Sequence, residues 1–236
     1  MQPYIYQIVH IRDFKALHLL DHITILKLWS ERLFGRGCNI DVASTASKID
    51  QLLKEHGCYN EVSHFVRVTI YSTFELSVEL EGTSLYDGYA MRLVTLKATT
   101  ARYNELIATQ PSSAREATTA LSLATAKAKG YNAIIQYDSK GDIISANDSP
   151  LFAIKNNIIY TPNNCQEDSV VRRIAVKAIE MTTLQLIEQP LNIDKLPTFD
   201  EMFIFDHHGI TSITHCDRTP YMSIKTERVT KQLKNI

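Results

Sequence analysis

Several common signatures of function are missing from this sequence of 236 residues. It contains neither a P-loop nor a GxGxxG motif, so the glycine-rich loops that cradle nucleotide phosphates are absent. No apolar run is long enough to span a bilayer, and the N-terminal residues lack the basic and apolar regions of a signal peptide. There is also no internal repeat, low-complexity tract or block of like charge. These absences favour a globular protein.

Cysteine pairs and an excess of one charge are missing as well. The four cysteines, at positions 38, 58, 165 and 216, are widely spaced and form no CxxC motif, which favours a reduced, cytoplasmic setting. The 25 Lys and Arg residues nearly balance the 26 Asp and Glu residues, so no broad surface for nucleic acid or anionic membranes is expected. With 44% hydrophobic residues, the chain has enough apolar side chains for a sizeable core.

The hydrophobic patterning of the first half predicts strands packed on two helices. Residues 4–11 (YIYQIVHI) are rich in the β-branched and aromatic side chains that strands favour. Two helices follow, one ending at Gly35 and one at Gly57, because glycine after a periodic apolar stripe is typical of a helix C-cap. Further strands are predicted over residues 62–70, 74–80 and 91–99.

The small, polar segment 108–114 (ATQPSSA) contains a proline and separates the two halves of the chain. We therefore predict an N-terminal α/β subdomain over residues 1–107, a linker over 108–114 and a C-terminal α/β subdomain over 115–236.

The second half alternates helices with short strands. Ser113 and Glu116 fit a capping box at the start of an Ala-rich helix that ends near Gly130. The elements predicted after it are strands around the turns at 140–141 and 156–157, a helix capped by Asp168 or Ser169, a short helical piece over 199–202, the strand FIFDHH and a basic C-terminal helix.

The order of these motifs resembles one known family. Residues 133–143 have the form AIIxxDxxGxI, and they are followed by LFxIxNxxIxTP, a helix, a DEMFIF strand and a GIT turn. Over residues 109–217 this order resembles the fold-type-IV pyridoxal-phosphate proteins, namely the class-IV aminotransferases and aminodeoxychorismate lyase. The resemblance implies an α/β (α+β) fold of the D-amino-acid-aminotransferase type, with two subdomains and a cleft between them.

The residues that match the reaction centre of this family differ from its pattern. The family places a Schiff-base lysine shortly after a proline, in PTxAK, where this chain has PSSAR with Arg115 at the lysine. A guanidinium stays protonated and cannot form the imine that binds pyridoxal phosphate. The family glutamate that hydrogen-bonds the pyridine nitrogen corresponds to Ser145, and a nearby asparagine corresponds to Pro150.

The positions that match the phosphate contacts differ too. An arginine three residues after a histidine in the family corresponds to Ile25, which follows His22. A threonine after the penultimate strand corresponds to His207. The family motif GITR corresponds to four residues at a helix start, where backbone amides would still favour an anion: Ser169, Val170, Val171 and Arg172.

These replacements support a divergent class-IV relative without pyridoxal-phosphate catalysis. Its cleft would bind a small anion through Arg115 and Arg172, although Arg115 could equally be an exposed residue in the first turn of a helix. One alternative is an active aminotransferase or lyase with a relocated Schiff-base lysine, for which Lys97 is the candidate. Another is a non-catalytic partner subunit. The resemblance also implies a homodimer.

We predict no metal site. Asp206, His207 and His208 offer suitable ligand types, but neighbouring residues on a strand point to opposite faces of the sheet and would not share one ion.

Overall fold

The computed structural model describes residues 2–103, 111–163 and 169–236, and the chain divides into two compact units. The first unit comprises Met1–Gly88 with Gln110–Ala114, and the second comprises Tyr89–Thr109 with Arg115–Ile236. No helix in the described ranges is both long and apolar enough to cross a membrane.

The first unit is an antiparallel sheet of four strands with two helices. In chain order its elements are β1 (Tyr4–Arg12), β2 (Lys15–Ala16), α1 (Leu19–Phe34), α2 (Val42–Glu55), β3 (His64–Tyr71) and β4 (Leu76–Thr83). The strand order is β2-β1-β3-β4. Inward residues of β1 and β3 pack with the apolar faces of α1 and α2, so the unit has a core of its own.

The helix ends in this unit are set by local chemistry that the sequence reveals. Gly35 ends α1 in the left-handed conformation with φ of 70°, which glycine adopts without strain, and its N–H donates to the Glu31 carbonyl. Asp41 caps α2, because its carboxylate accepts a hydrogen bond of 2.7 Å from the Ser44 amide. The strand predicted over residues 4–11 and the two helices predicted after it are confirmed by β1, α1 and α2.

The second unit is built on one long mixed sheet. In chain order its elements are β5 (Ala90–Met91), β6 (Leu96–Arg102), α3 (Ser113–Ala128), β7 (Ala133–Tyr137), β8 (Ile143–Ala146), β9 (Leu151–Lys155), β10 (Ile158–Thr161), α4 (Val170–Glu180), β11 (Gln185–Glu188), β12 (Glu201–Asp206), β13 (Gly209–Cys216), β14 (Thr219–Pro220) and α5 (Thr226–Gln232). The main strand order is β11-β10-β9-β12-β13-β6-β7-β8, and β5 and β14 also pair with β13.

The boundary between the units differs from the sequence-based division at residue 107. The strand predicted over 91–99 is two strands, β5 and β6, and both pair in parallel with β13 of the second unit. Between them Leu93 and Val94 are exposed, although their apolar character had suggested a strand interior. Parallel pairing with a strand more than a hundred residues away leaves no local signal, so composition placed this segment in the wrong half.

The core of the second unit lies against this sheet. Phe152 of β9 and Phe203 of β12 pair across neighbouring strands with ring centroids 5.0 Å apart. The helical piece predicted over 199–202 lies earlier, as a 3₁₀ helix over Ile193–Thr198, and β12 already begins at Glu201.

Candidate functional site

Arg115, which the resemblance aligns with the lysine of the family, is held in a buried ion pair. Arg115 lies in the first turn of α3 and is only 3% exposed. Its Nε donates a hydrogen bond of 2.8 Å to Oδ1 of Asp148, and its Nη2 donates one of 3.0 Å to the Asp148 carbonyl oxygen. The carboxylate therefore neutralises the guanidinium from within the same unit.

A tight turn between β8 and β9 positions Asp148. Ala146 and Ser149 form an antiparallel bridge around the turn. The two central residues, Asn147 and Asp148, have φ values of 48° and 61°, the positive values that asparagine and aspartate tolerate better than most residues. The Asn147 side chain accepts a hydrogen bond of 2.9 Å from the Ile134 amide, which fixes the turn to β7. The aspartate is thus held at a defined place on a rigid turn.

Ser145, which the resemblance aligns with the glutamate of the family, belongs to the same polar network. The Ser145 hydroxyl donates to Oε1 of Gln136 at 2.5 Å, and the same oxygen accepts from the Asp148 amide at 3.3 Å. Nε2 of Gln136 donates to the Thr119 hydroxyl on α3 at 2.9 Å. We call the five residues Arg115, Thr119, Gln136, Ser145 and Asp148 the arginine network. Its polar groups are directed at one another.

The surroundings of the arginine network are poor in solvent. Tyr103 is 8% exposed, and its hydroxyl has no hydrogen-bond partner among the described residues. Burial raises the pKa of Tyr103, the charge of Arg115 lowers it and that of Asp148 raises it, and the net result is a raised pKa. A raised phenol pKa beside an ion pair is typical of a dry interior position.

The residues that match GITR form the start of α4 and are also paired internally. Ser169 is the N-cap, and its hydroxyl accepts from the Arg172 amide at 3.3 Å, which confirms the predicted cap at this residue. Arg172 is 8% exposed, pairs with Glu188 at 3.1 Å and donates to the Pro162 carbonyl at 3.3 Å. The alternative cap, Asp168, lies outside the described residues. Both arginines expected to bind an anion are therefore already paired with carboxylates.

The remaining predicted positions are structural or exposed. Val170 is buried, and Val171 is partly buried. Ile25 is buried in α1 of the first unit. Lys97 is exposed on β6, as most lysines are, so it lacks the enclosed surroundings that protect an imine from water.

His207 lies in a turn, which corrects the argument made against a metal site. The strand β12 ends at Asp206 and β13 begins at Gly209, so His207 and His208 are the two residues of the turn between them. Their imidazole centroids are 4.1 Å apart, and the alternation of side chains along a strand does not apply to them. Burial by itself would raise the pKa of Asp206, but hydrogen bonds from His208 and the charges of both imidazoles hold it below its ordinary value.

These residues do not fit covalent attachment of pyridoxal phosphate at the position that the resemblance assigns. The imine needs a primary amine, and this position holds a buried guanidinium whose partner is Asp148. The hydroxyl of Ser145, which would face the pyridine nitrogen, already donates to Gln136.

Sequence reasoning missed Asp148 and Gln136, which join Arg115 to Ser145. The signal for Asp148 was the Asn-Asp dipeptide after a strand, which is typical of a turn with positive φ values. Gln136 lies on an apolar strand and gave no signal, because a buried glutamine in a sheet has no characteristic spacing.

Comparisons with known proteins agree with this architecture. The sequence model of the family "Amino-transferase class IV" matches residues 5–216. A protein of Methanocaldococcus jannaschii named "Putative branched-chain-amino-acid aminotransferase" is 25% identical over 108 residues. That match covers 44% of this chain and 38% of the relative's length.

Solved structures share the fold along nearly the whole chain. A "Putative 4-amino-4-deoxychorismate lyase" of Legionella pneumophila superposes with a TM-score of 0.79 at 14% identity, covering 98% of this chain and 90% of that one. An aminotransferase of Brucella abortus bound to PLP superposes with a TM-score of 0.80 at 16% identity, covering 98% and 88%. At such identities the superpositions establish the fold, and with the match over residues 5–216 they show that this chain belongs to the class-IV aminotransferase family.

Proposed function

We propose that this chain is a class-IV family member that has lost pyridoxal-phosphate catalysis. The observation that carries the proposal is the buried pair of Arg115 with Asp148 at the lysine position. A chain that forms an imine with the cofactor aldehyde at this position would have a lysine amine there. Here the position holds the guanidinium of Arg115, which is already bound to the carboxylate of Asp148.

The second support is that the replacements compensate one another. Arg115 is 3% exposed, and burying an unpaired guanidinium would cost several kcal/mol. Asp148 supplies the negative charge that pairs with Arg115. The Asp148 amide donates to Oε1 of Gln136, and the same oxygen accepts from the Ser145 hydroxyl. The hydrogen bonds described for these residues are thus made within the chain, without a cofactor.

Anion binding by the chain stays an untested prediction. A phosphate or carboxylate would compete with Asp148 for Arg115 and with Glu188 for Arg172. Because each guanidinium already has a carboxylate partner, we expect only weak binding at either arginine.

The test is reductive trapping of the cofactor. The purified protein is incubated with pyridoxal phosphate, reduced with borohydride and digested, and pyridoxyl-lysine peptides are quantified by mass spectrometry. We expect no lysine to be labelled above the level found in the urea-unfolded protein. Stoichiometric labelling of a single lysine, at Lys97 or elsewhere, would overturn the proposal. It would support the alternative that the chain is an active pyridoxal-phosphate enzyme.

A matched variant shows that the assay detects an imine at this position. Arg115→Lys with Asp148→Gly restores the amine and removes the carboxylate, and glycine suits the φ of 61° at residue 148. We expect selective trapping at residue 115 of this variant. Arg115→Lys alone should trap less, because Asp148 would hold the new ammonium protonated.

The homodimer expected from the family is a separate proposal. Its support is family membership alone, and light scattering of the purified protein at micromolar concentration tests it. A monomer mass would contradict it, and a stable complex with a different chain in cell lysate would favour the partner-subunit alternative.

A further inference from the structure

The turn between β12 and β13 brings three metal-binding side chains together. Asp206, His207 and His208 each offer one ligand atom, and these three atoms lie within 4.8 Å of one another. Two imidazoles and one carboxylate are a donor set suited to zinc and its neighbours in the first transition series. None of these residues is in the arginine network.

The distances within the turn suit a single ion. Nδ1 of His208 lies 3.4 Å from Oδ1 of Asp206. Two ligand atoms that each lie about 2.0–2.2 Å from a tetrahedral ion are separated from each other by roughly 3.4 Å, which matches this distance. All three residues are partly exposed, with 31% of the His208 side chain and 16% of the Asp206 side chain open to solvent, whereas Nδ1 of His208 itself is buried. An ion therefore reaches that nitrogen only if the imidazole side chains shift.

The backbone holds the turn in place before any ion binds. The Asp206 carboxylate accepts from the His208 amide at 2.8 Å, and the His208 carbonyl accepts from the Ala90 amide at 3.2 Å. Gly209 lies so close to β5 that an added Cβ would meet the Ala90 carbonyl oxygen at 2.2 Å. A ligand set on a rigid turn loses less conformational entropy on binding than one on a flexible loop.

One neighbouring charge opposes the ion. Nη1 of Arg92 lies 3.9 Å from Oδ2 of Asp206. The guanidinium therefore contacts one carboxylate oxygen, and His208 lies beside the other, Oδ1. Its side chain is 35% exposed, and solvent weakens its effect.

We propose that Asp206, His207 and His208 form a binding site for a divalent transition-metal ion of the zinc type. Three protein ligands leave at least one coordination position for water or an anion. This inference goes beyond the proposed loss of pyridoxal-phosphate catalysis and does not depend on it.

Calorimetric titration of the full chain with zinc chloride, after treatment with chelator, tests the site. We expect one equivalent to bind, and His207→Ala and His208→Ala each to weaken binding at least about tenfold, since even loss of residues that only support ligands costs about 10- to 100-fold. His215→Ala is the matched control, because His215 lies on β13 outside the turn and should leave binding unchanged.

Cobalt substitution gives a second readout that does not depend on stability. The visible spectrum of the cobalt-loaded chain should show histidine coordination, and each turn variant should lose it while keeping its far-ultraviolet circular dichroism. Failure of the wild type to bind zinc at millimolar concentration would overturn the proposal. Unchanged binding in both histidine variants would do the same, because it would place the ion elsewhere.

Discussion

Two regions of the second unit differ in the burial and pairing of their polar side chains. In the arginine network, Arg115 and Gln136 are almost fully buried and are hydrogen-bonded to other members of the network. At the turn of Asp206, His207 and His208, the ligand-type side chains converge but stay partly exposed. The resemblance aligns positions of the family's cofactor contacts with residues in both regions.

The difference shows two ways in which one unit accommodates charged and polar side chains. A buried position must satisfy its charge from inside the chain, because an unpaired guanidinium in the interior is too costly. A partly exposed turn meets this requirement less strictly, since water can reach its exposed polar atoms. The buried network satisfies its charge internally, and the turn holds the three groups for which we propose a metal ion.

The turn should nevertheless be the more sensitive of the two to backbone change. Gly209 has a φ of +123°, which residues other than glycine rarely adopt, and an added Cβ would meet the Ala90 backbone. We expect Gly209→Ala to lower the free energy of unfolding by about 4 kcal/mol, the sum of strain and overpacking. Urea denaturation measures it. The control is Gly37→Ala, where the added Cβ meets nothing within 4 Å, and equal losses in both variants would contradict the account.

The arginine network should be the more sensitive to loss of charge. Asp148→Asn keeps a residue that tolerates the positive φ but leaves Arg115 buried without its carboxylate, so we expect a loss of about 3 kcal/mol in the free energy of unfolding. Asp87→Asn is the matched control, because Asp87 pairs with Arg12 on the surface, with side chains 37% and 38% exposed. Such surface pairs contribute about 0–1 kcal/mol. Similar losses for the two variants would show that Arg115 is not buried as described.

The strand that follows the turn is buried, unlike the turn itself, and this gives a prediction on pH. Burial, with a further contribution from Asp217, raises the pKa of the Cys216 thiol from 9.0 to about 12. The unfolded chain therefore loses this proton first as the pH rises, so stability is full below pH 9 and falls between pH 9 and pH 12. At pH 10 the loss from this group is about 1.4 kcal/mol.

Cys216→Ala should reduce the fall in stability between pH 8 and pH 10 by that amount. Urea denaturation at the two pH values measures it. A fall of the same size in the variant and the wild type would show that other groups cause it, with the buried Tyr89 and Tyr221 as the first suspects, since burial raises the pKa of both.

The smallest expected effect is a gain in stability at the edge of the arginine network. The Tyr103 hydroxyl is buried and has no hydrogen-bond partner among the described residues. Removing such a group relieves its desolvation cost, so Tyr103→Phe should raise the free energy of unfolding by about 1 kcal/mol. Thermal and urea denaturation both measure it. A loss of stability instead would mean that the hydroxyl has a partner.

Much of the fold could be predicted from the sequence because its signals are local. The glycine at position 35 and the cap at Asp41 mark helix ends by their own backbone preferences, and the motif order over residues 109–217 indicated the family. The placement of β6 could not be predicted, because its neighbours β7 and β13 are parallel strands reached through long connections.

The sequence singled out Arg115 and Ser145, but it did not reveal their partners. The resemblance aligns Arg115 with the lysine of the family. Its pairing with Asp148, 33 residues later, depends on two consecutive positive φ values in a turn. The turn of His207 and His208 was misassigned to a strand, because FIFDHH continues an apolar run with no glycine or proline before Gly209.

A double-mutant cycle between Arg115 and Asp148 tests the central claim most directly. Arg115→Met, Asp148→Ala and the double variant are compared with the wild type in urea denaturation. The account predicts that the double variant is clearly more stable than the sum of the single losses implies, with a coupling of about 2–3 kcal/mol. Additive losses, with coupling below about 0.5 kcal/mol, would contradict the claim that Arg115 and Asp148 form a buried, energetically coupled ion pair.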